Sequence, residues 1–241
     1  MIAEAINRIL ELSEPHTIQT AYRTYSDKKL YTVEDEQRAE PLEVSSLTGL
    51  VEYIRDFKED RKKDLGYIVH VVSPTCVRLE SALDNDRARE TLMLAKAELP
   101  RIPFEQYIDN QTMLIAVLSM FVDDDATDRA AVLKFAGTVT KGSVKEYDDD
   151  GVTQKATIKQ GVASKVEAIV PSPCVLRPYR TFLEVPQPAS RFIFRMREGL
   201  RDDIESALFP ADGGAWRMEA RNSIRDYLKK ELDGLDVTVI A

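Results

Sequence analysis

The chain has 241 residues, 44% of them apolar, with 33 Lys and Arg set against 41 Asp and Glu. That length suffices for one large domain or two small ones, each with a sizeable core. A formal charge of −8 argues against wholesale coating of nucleic acid. Two cysteines, Cys76 and Cys174, rule out a multi-bridge disulfide framework and suit a reducing compartment.

Residues 1–12 carry Glu4 and Glu11 and no basic stretch before an apolar run, so no secretory signal is expected there. The longest apolar run, residues 113–122, is about half of what a bilayer span requires. The expectation is a soluble protein that does not enter a membrane. No internal repeat and no low-complexity linker is visible.

Ile2, Ala5, Ile6, Ile9 and Leu10 recur at helical spacing, and Pro15 lies just beyond them. Residues 17–33 turn β-branched and aromatic, broken at Ser26-Asp27, which predicts two strands. Residues 34–40 are polar and charged, as in a solvated loop. Ser45 or Ser46 then caps a helix with the apolar stripe Leu47, Leu50, Val51, Ile54 and Phe57. Strands are predicted at 67–72, 76–83 and 90–99, with turn chemistry at Ser73-Pro74 and Asp84-Asn85.

Asp109 is a candidate cap for a helix through residues 112–122, apolar nearly all round and therefore expected to be buried. Asp125 or Thr127 starts the next helix, through Phe135. Residues 136–160 alternate around Asp149-Asp150-Gly151, which predicts a β-hairpin. Strands follow at 174–185 and 191–197. A last helix carries Trp216, Ala220, Ile224, Tyr227 and Leu228, stops near Asp233-Gly234, and is followed by a strand at 237–240.

This pattern predicts an α+β fold of antiparallel sheets with packed helices and a projecting β-hairpin. Pro100 and Pro103 mark a division into an N-terminal α+β part, 1–102, and a C-terminal α+β part, 103–241, with the hairpin at 136–160. One domain is the alternative.

Chemistry-bearing motifs are sparse. His70 lies between Val69 and Val71 and reads as structural, and His16 sits beside Pro15 at a loop edge. Cys76 and Cys174 read as small residues within strands. Asp123, Asp124, Asp125 and Asp128 offer oxygens suited to a hard cation, but the run lacks the spacing and glycine of a calcium loop. Acids at a helix start explain them better. There is no phosphate-binding glycine loop, no nucleophile elbow and no zinc spacing. The expectation is a non-enzyme without cofactor or metal.

Charge is unevenly spread: residues 139–200 hold ten Lys and Arg against seven Asp and Glu. Within the hairpin, Val139, Lys141, Ser143, Lys145 and Tyr147 are expected on one face, with Thr140, Gly142, Val144 and Glu146 on the other. Neither face is apolar enough for a core, so the ribbon is expected to project and to gain stability from a partner. Arg191, Ile193, Arg195 and Arg197 share one strand face, and Phe192, Phe194 and Met196 the other, which is core. Arg177 and Tyr179 are expected on the neighbouring strand. The candidate partner- or nucleic-acid-binding residues are therefore Lys141, Lys145, Tyr147, Lys155, Lys159, Arg177, Tyr179, Arg191 and Arg195.

The run Glu90-Thr91-Leu92-Met93-Leu94-Ala95-Lys96-Ala97-Glu98, followed by Pro103-Phe104 and Tyr107-Ile108, resembles a stretch of the uncharacterised phage and prophage proteins typified by YfdQ. The hairpin, Ser164-Lys165-Val166-Glu167-Ala168, Pro171 and Phe192-Ile193-Phe194-Arg195 are similar to the C-terminal half of that family. The resemblance implies a bacteriophage protein acting in the cytoplasm of the infected bacterium, and it brings no catalytic residues. The leading expectation is an oligomeric protein that binds and neutralises a host component, such as a defence protein. A second is a single-strand nucleic-acid-binding or recombination accessory protein. A third is a protein that sequesters a small nucleotide signal.

Overall fold

A computed structural model describes residues 4–8, 14–21, 23–29, 39–56, 66–83, 87–138, 144–149, 154–160, 164–169, 172–199 and 204–241, with backbone alone between 144 and 169. The chain forms two compact units, residues 1–39 and 40–241. The junction expected at 102/103 falls inside the second.

In the first unit residues 4–8 are helical, and β1 (Thr17–Gln19) pairs antiparallel with β2 (Thr24–Ser26). The strands are joined between Thr20 and Arg23 and not broken at the expected Ser26-Asp27. Thr20 Oγ1 closes the connection, donating to the Arg23 carbonyl at 2.8 Å and accepting from the Arg23 N–H at 3.1 Å. Asp27 instead clamps the open end, accepting from the His16 N–H at 2.8 Å, which chiefly holds its carboxyl below the ordinary range. Of the expected strand residues, Leu30, Tyr31 and Val33 lie outside the described residues.

The second unit begins with β3 (Leu42–Val44) and α1 (Leu47–Asp56), followed by β4 (Tyr67–Ser73), β5 (Cys76–Ser81) and β6 (Thr91–Lys96). Next come β7 (Ile108–Asp109), α2 (Asn110–Met120) and α3 (Arg129–Thr138). Then β8 (Val144–Asp149), β9 (Gln154–Gln160), β10 (Ser164–Ile169), β11 (Cys174–Leu176), β12 (Ser190–Glu198) and β13 (Ile204–Pro210) follow. The helix α4 (Trp216–Glu231) and the strand β14 (Val237–Ile240) end the order. Helices and mixed or antiparallel sheets together make this an α+β fold.

Five strands form one sheet in the order β14-β4-β5-β6-β3, with β14 parallel to β4 and β3 parallel to β6. Alternation sends Val69, Val71, Val77, Leu79, Met93 and Ala95 to one face, where they pack with the apolar stripes of α1 and α4. The stripe of α1 is the expected one, joined by Tyr53, while Phe57 lies outside the described residues. A second, fully antiparallel sheet runs β11-β12-β13-β7. Its inner face, with Phe192, Phe194, Met196 and Leu208, packs on Met113 and Val117 of α2 and on Val132 and Phe135 of α3.

Asp109 caps α2 as expected, accepting from the Thr112 N–H at 2.9 Å. Among the described residues only one side of α2 is covered, and Ile115 and Leu118 are exposed, contrary to the expectation of full burial. Neither Asp125 nor Thr127 opens α3. Asp124 folds a tight turn there, accepting from the Ala126 N–H at 2.8 Å, and the helix begins at Arg129. Residues 136–138 belong to α3, so the expected hairpin is shorter, and β10 joins it as a third strand in the order β10-β9-β8. A register shift between Val144 and Glu146 interrupts the expected strict alternation at Lys145.

Residues 177–189 link the two cores. The strand expected over 174–185 ends at Leu176, because Pro178 and Pro186 lack the N–H groups that a ladder needs. From this irregular strap Phe182 and Val185 enter the core under the five-stranded sheet. Glu184 Oε1 caps α1, accepting from the Leu47 N–H at 2.7 Å and the Thr48 N–H at 3.2 Å. Thr181 Oγ1 donates to the Pro74 carbonyl at 2.6 Å. Phe182 is 1% exposed; Phe182→Ala is expected to cost about 3–5 kcal/mol in urea unfolding, through lost burial and the cavity left behind. Ser46 Oγ, one of the two expected caps, accepts from the Gly49 N–H at 3.1 Å, so Glu184→Ala removes one of two caps and should cost about 1 kcal/mol.

Candidate functional site

The strand β12 sorts its side chains by alternation. Phe192, Phe194 and Met196 are fully buried against the helices, while Arg191 and Arg197 are exposed and Ile193 is 36% exposed on the other side. No described element packs on that second side. Across the ladder Ile193 stands opposite Phe209, Arg195 opposite Ala207 and Arg197 opposite Glu205, with Val175 opposite Arg191. The Arg197 guanidinium lies over the Tyr107 ring, 4.0 Å from its centroid, and its Nε donates to Glu205 Oε2 at 2.7 Å. Tyr107 meets Phe209 edge-on at 5.9 Å. Among the described residues the result is an open sheet face with three arginines, two aromatic rings and the carboxylate of Glu205, with Asp109 opposite it at the sheet edge.

Two of the expected residues, Arg191 and Arg195, lie on this face. Arg177 and Tyr179 do not lie on the neighbouring strand, since β11 ends at Leu176 and both belong to the strap. Arg177 Nη1 pairs with Asp124 Oδ2, which ties the strap to the turn after α2. The Tyr179 N–H donates to the Met120 carbonyl at 2.9 Å. Lys145, Tyr147, Lys155 and Lys159 fall on the separate three-stranded sheet: Lys145 at the register shift, Tyr147 opposite Ala156, Lys155 opposite Asp148 and Lys159 opposite Lys165. Lys141 lies outside the described residues. Tyr107, Phe209 and Glu205 escaped the sequence reading because β13 was not foreseen. The alternation of Ile204, Ser206 and Leu208 with Glu205, Ala207 and Phe209 was the available signal.

Behind this face lies a buried polar group. Arg180, 8% exposed, sits 4.0 Å from the centroid of Trp216 and 6.0 Å from that of Phe192. Its Nη2 donates to the Pro188 carbonyl at 3.3 Å and to Ser190 Oγ, and Ser190 Oγ donates onward to Asp212 Oδ2 at 2.5 Å. Burial pulls the Arg180 guanidinium down to about 10, against the opposing pull of Asp212 and Glu219, so it stays cationic at neutral pH. Burial also works to raise the Asp212 carboxyl. The hydrogen bonds from Ser190 and from the Gly214 N–H, with the charge of Arg180, outweigh it and hold Asp212 below its ordinary value.

The remaining candidate groups are engaged structurally. Asp123 pairs with Arg129 Nη1, and Asp128 Oδ2 accepts from the Val175 N–H at 2.7 Å. Among the described residues no group of three His, Cys, Asp or Glu side chains is disposed to hold a metal ion. Burial, then the nearby Asp128, pushes the Cys174 thiol up to about 12. His70 Nδ1 stands 3.9 Å from Glu80 Oε2. Among the described residues no helix is long and apolar enough to cross a membrane.

Comparison with protein-family models, with curated proteins and with solved structures finds no match to this chain.

The lowered Asp212 has a consequence for stability. A carboxylate favoured in the folded state contributes fully above its unfolded value, near 3.8, and loses that contribution as pH falls through the lower folded value. The stability gap between the wild type and Asp212→Asn is therefore expected to be constant above about pH 5 and to close below it, read by chemical unfolding at a series of pH values.

Proposed function

We propose that this protein works by binding, and that the open face of its four-stranded sheet takes single-stranded nucleic acid. The supporting observation is the grouping on that face: Arg191 and Arg195 stand along one strand beside the Arg197–Tyr107 stack, in a chain whose net charge is −8. Single strands are held by cations that follow the phosphates and by flat groups that stack bases, and a guanidinium plane serves as such a group. Acting as a phage protein within an infected bacterium belongs to the same proposal.

Ile193 opposite Phe209 favours a second reading, in which a host protein is bound. An apolar centre with an arginine rim has the make-up of a protein interface. Fluorescence anisotropy with a labelled mixed-sequence oligonucleotide separates the two. Binding at low salt is expected, with log K falling by about 0.7 per phosphate contact for each unit of log salt. The double variant Arg191→Glu/Arg195→Glu should weaken it about tenfold or more, because exposed Arg191 and half-buried Arg195 both stand on this face and a carboxylate at either position repels a phosphate. An oligonucleotide that stays unbound at low salt rejects the nucleic-acid reading. A partner protein lost on Ile193→Asp would then establish the other.

A further inference from the structure

No described element of the second unit packs on the other face of the five-stranded sheet, and the composition of that face differs from that of the arginine face. Ile240, His70, Arg78, Leu94 and Glu43 lie in one register row that crosses all five strands. Ile240 in this row is 44% exposed, and beside the row Val72 is 37% exposed and Cys76 half-buried. The charges of the face are matched within it. Arg78 Nη1 stands 4.0 Å from Glu80 Oε1, and Lys96 Nζ stands 2.7 Å from Glu43 Oε1.

From this we infer that the open face of the five-stranded sheet is where a second copy of this chain docks. Two copies, each with a net charge of −8, repel one another over most of their surface. Here two cations offset two carboxylates, so the repulsion vanishes where the apolar residues are exposed. An interface related by a two-fold axis must be complementary to itself, and a face with equal numbers of both signs meets that condition. A polyanion or a strongly charged foreign partner gains nothing from a surface whose ion pairs are already made. Two such faces stack as paired sheets do, with Val72, Ile240 and Leu94 filling the layer between them.

Light-scattering mass over a dilution series tests this directly. The wild type is expected at twice the chain mass when concentrated and at the chain mass when dilute. Val72→Asp and Ile240→Asp should each hold the protein at the chain mass with the thermal melt of the dilute wild type, since both side chains face solvent. Cys76 supplies an independent reading. Cys174 is fully buried, so maleimide reports Cys76 alone, and its labelling should slow as concentration rises in the wild type but not in the variants. A wild type at the chain mass throughout the series overturns the inference. So does a dimer indifferent to Val72→Asp, or one lost on Ile193→Asp, which would move the contact to the other sheet. Oligonucleotide binding enters none of these readings, so each proposal fails or stands separately.

Discussion

One side-chain amide organises the region on which both cores depend. Gln187 accepts through Oε1 from the Arg180 and Thr181 N–H groups at 2.9 and 3.1 Å, and donates through Nε2 to the Thr181 and Phe182 carbonyls at 3.2 and 3.1 Å. A buried loop without ladder partners would strand these backbone groups, each at a cost of about 1–3 kcal/mol. The amide takes the place of a neighbouring strand. With the strap so satisfied, Phe182 can be sent into one core while Leu176 and Phe192, at its two ends, stay in the other. The cap on α1, the bond to the turn between β4 and β5, and the placement of Arg180 follow from the same set of contacts.

The two sheets share a design in which helices cover one face and leave the other open, and electrostatics distinguishes the open faces. On the five-stranded sheet cation and carboxylate alternate closely enough to pair. On the four-stranded sheet three arginines stand along one strand, and Glu205 pairs with Arg197. The arginines that serve the fold are withdrawn from both. Arg129 donates into the end of α2 and to Asp123, Arg177 joins Asp124, and Arg180 lies between aromatic rings. The sequence shows arginines in one crowded interval, and the structure divides them between support and surface.

Periodicity disclosed what is local. The alternation in β12, the stripe of α1, the Asp109 cap and the closing helix and strand were legible because each follows from neighbours a few residues apart. The strap was not, since Gln187 has no pattern that marks it as a loop organiser, and residues 177–185 carry the aromatic and branched residues of a strand. The candidate face was half legible. Arg191 and Arg195 were read from their own strand, whereas Tyr107 and Phe209 reach the face only through pairings with β13 that a chain-order reading does not contain. Alternation in the hairpin misled for a related reason, because the register shift between Val144 and Glu146 leaves Lys145 without a cross-strand partner.

The parallel pairing of β14 with β4 fixes an order of events during synthesis. The core behind the four-stranded sheet draws on residues up to Leu208, whereas the core behind the five-stranded sheet waits for Ile224, Leu228 and Val239. The sheet that leaves the ribosome first is therefore completed last. Until α4 and β14 arrive, Val69, Val71 and Leu79 lack the cover of Ile224 and Leu228, and the edge of β4 offers its unpaired N–H and C=O groups to any extended chain nearby. For that interval the apolar face of the first-made sheet waits on residues that have not yet been synthesised.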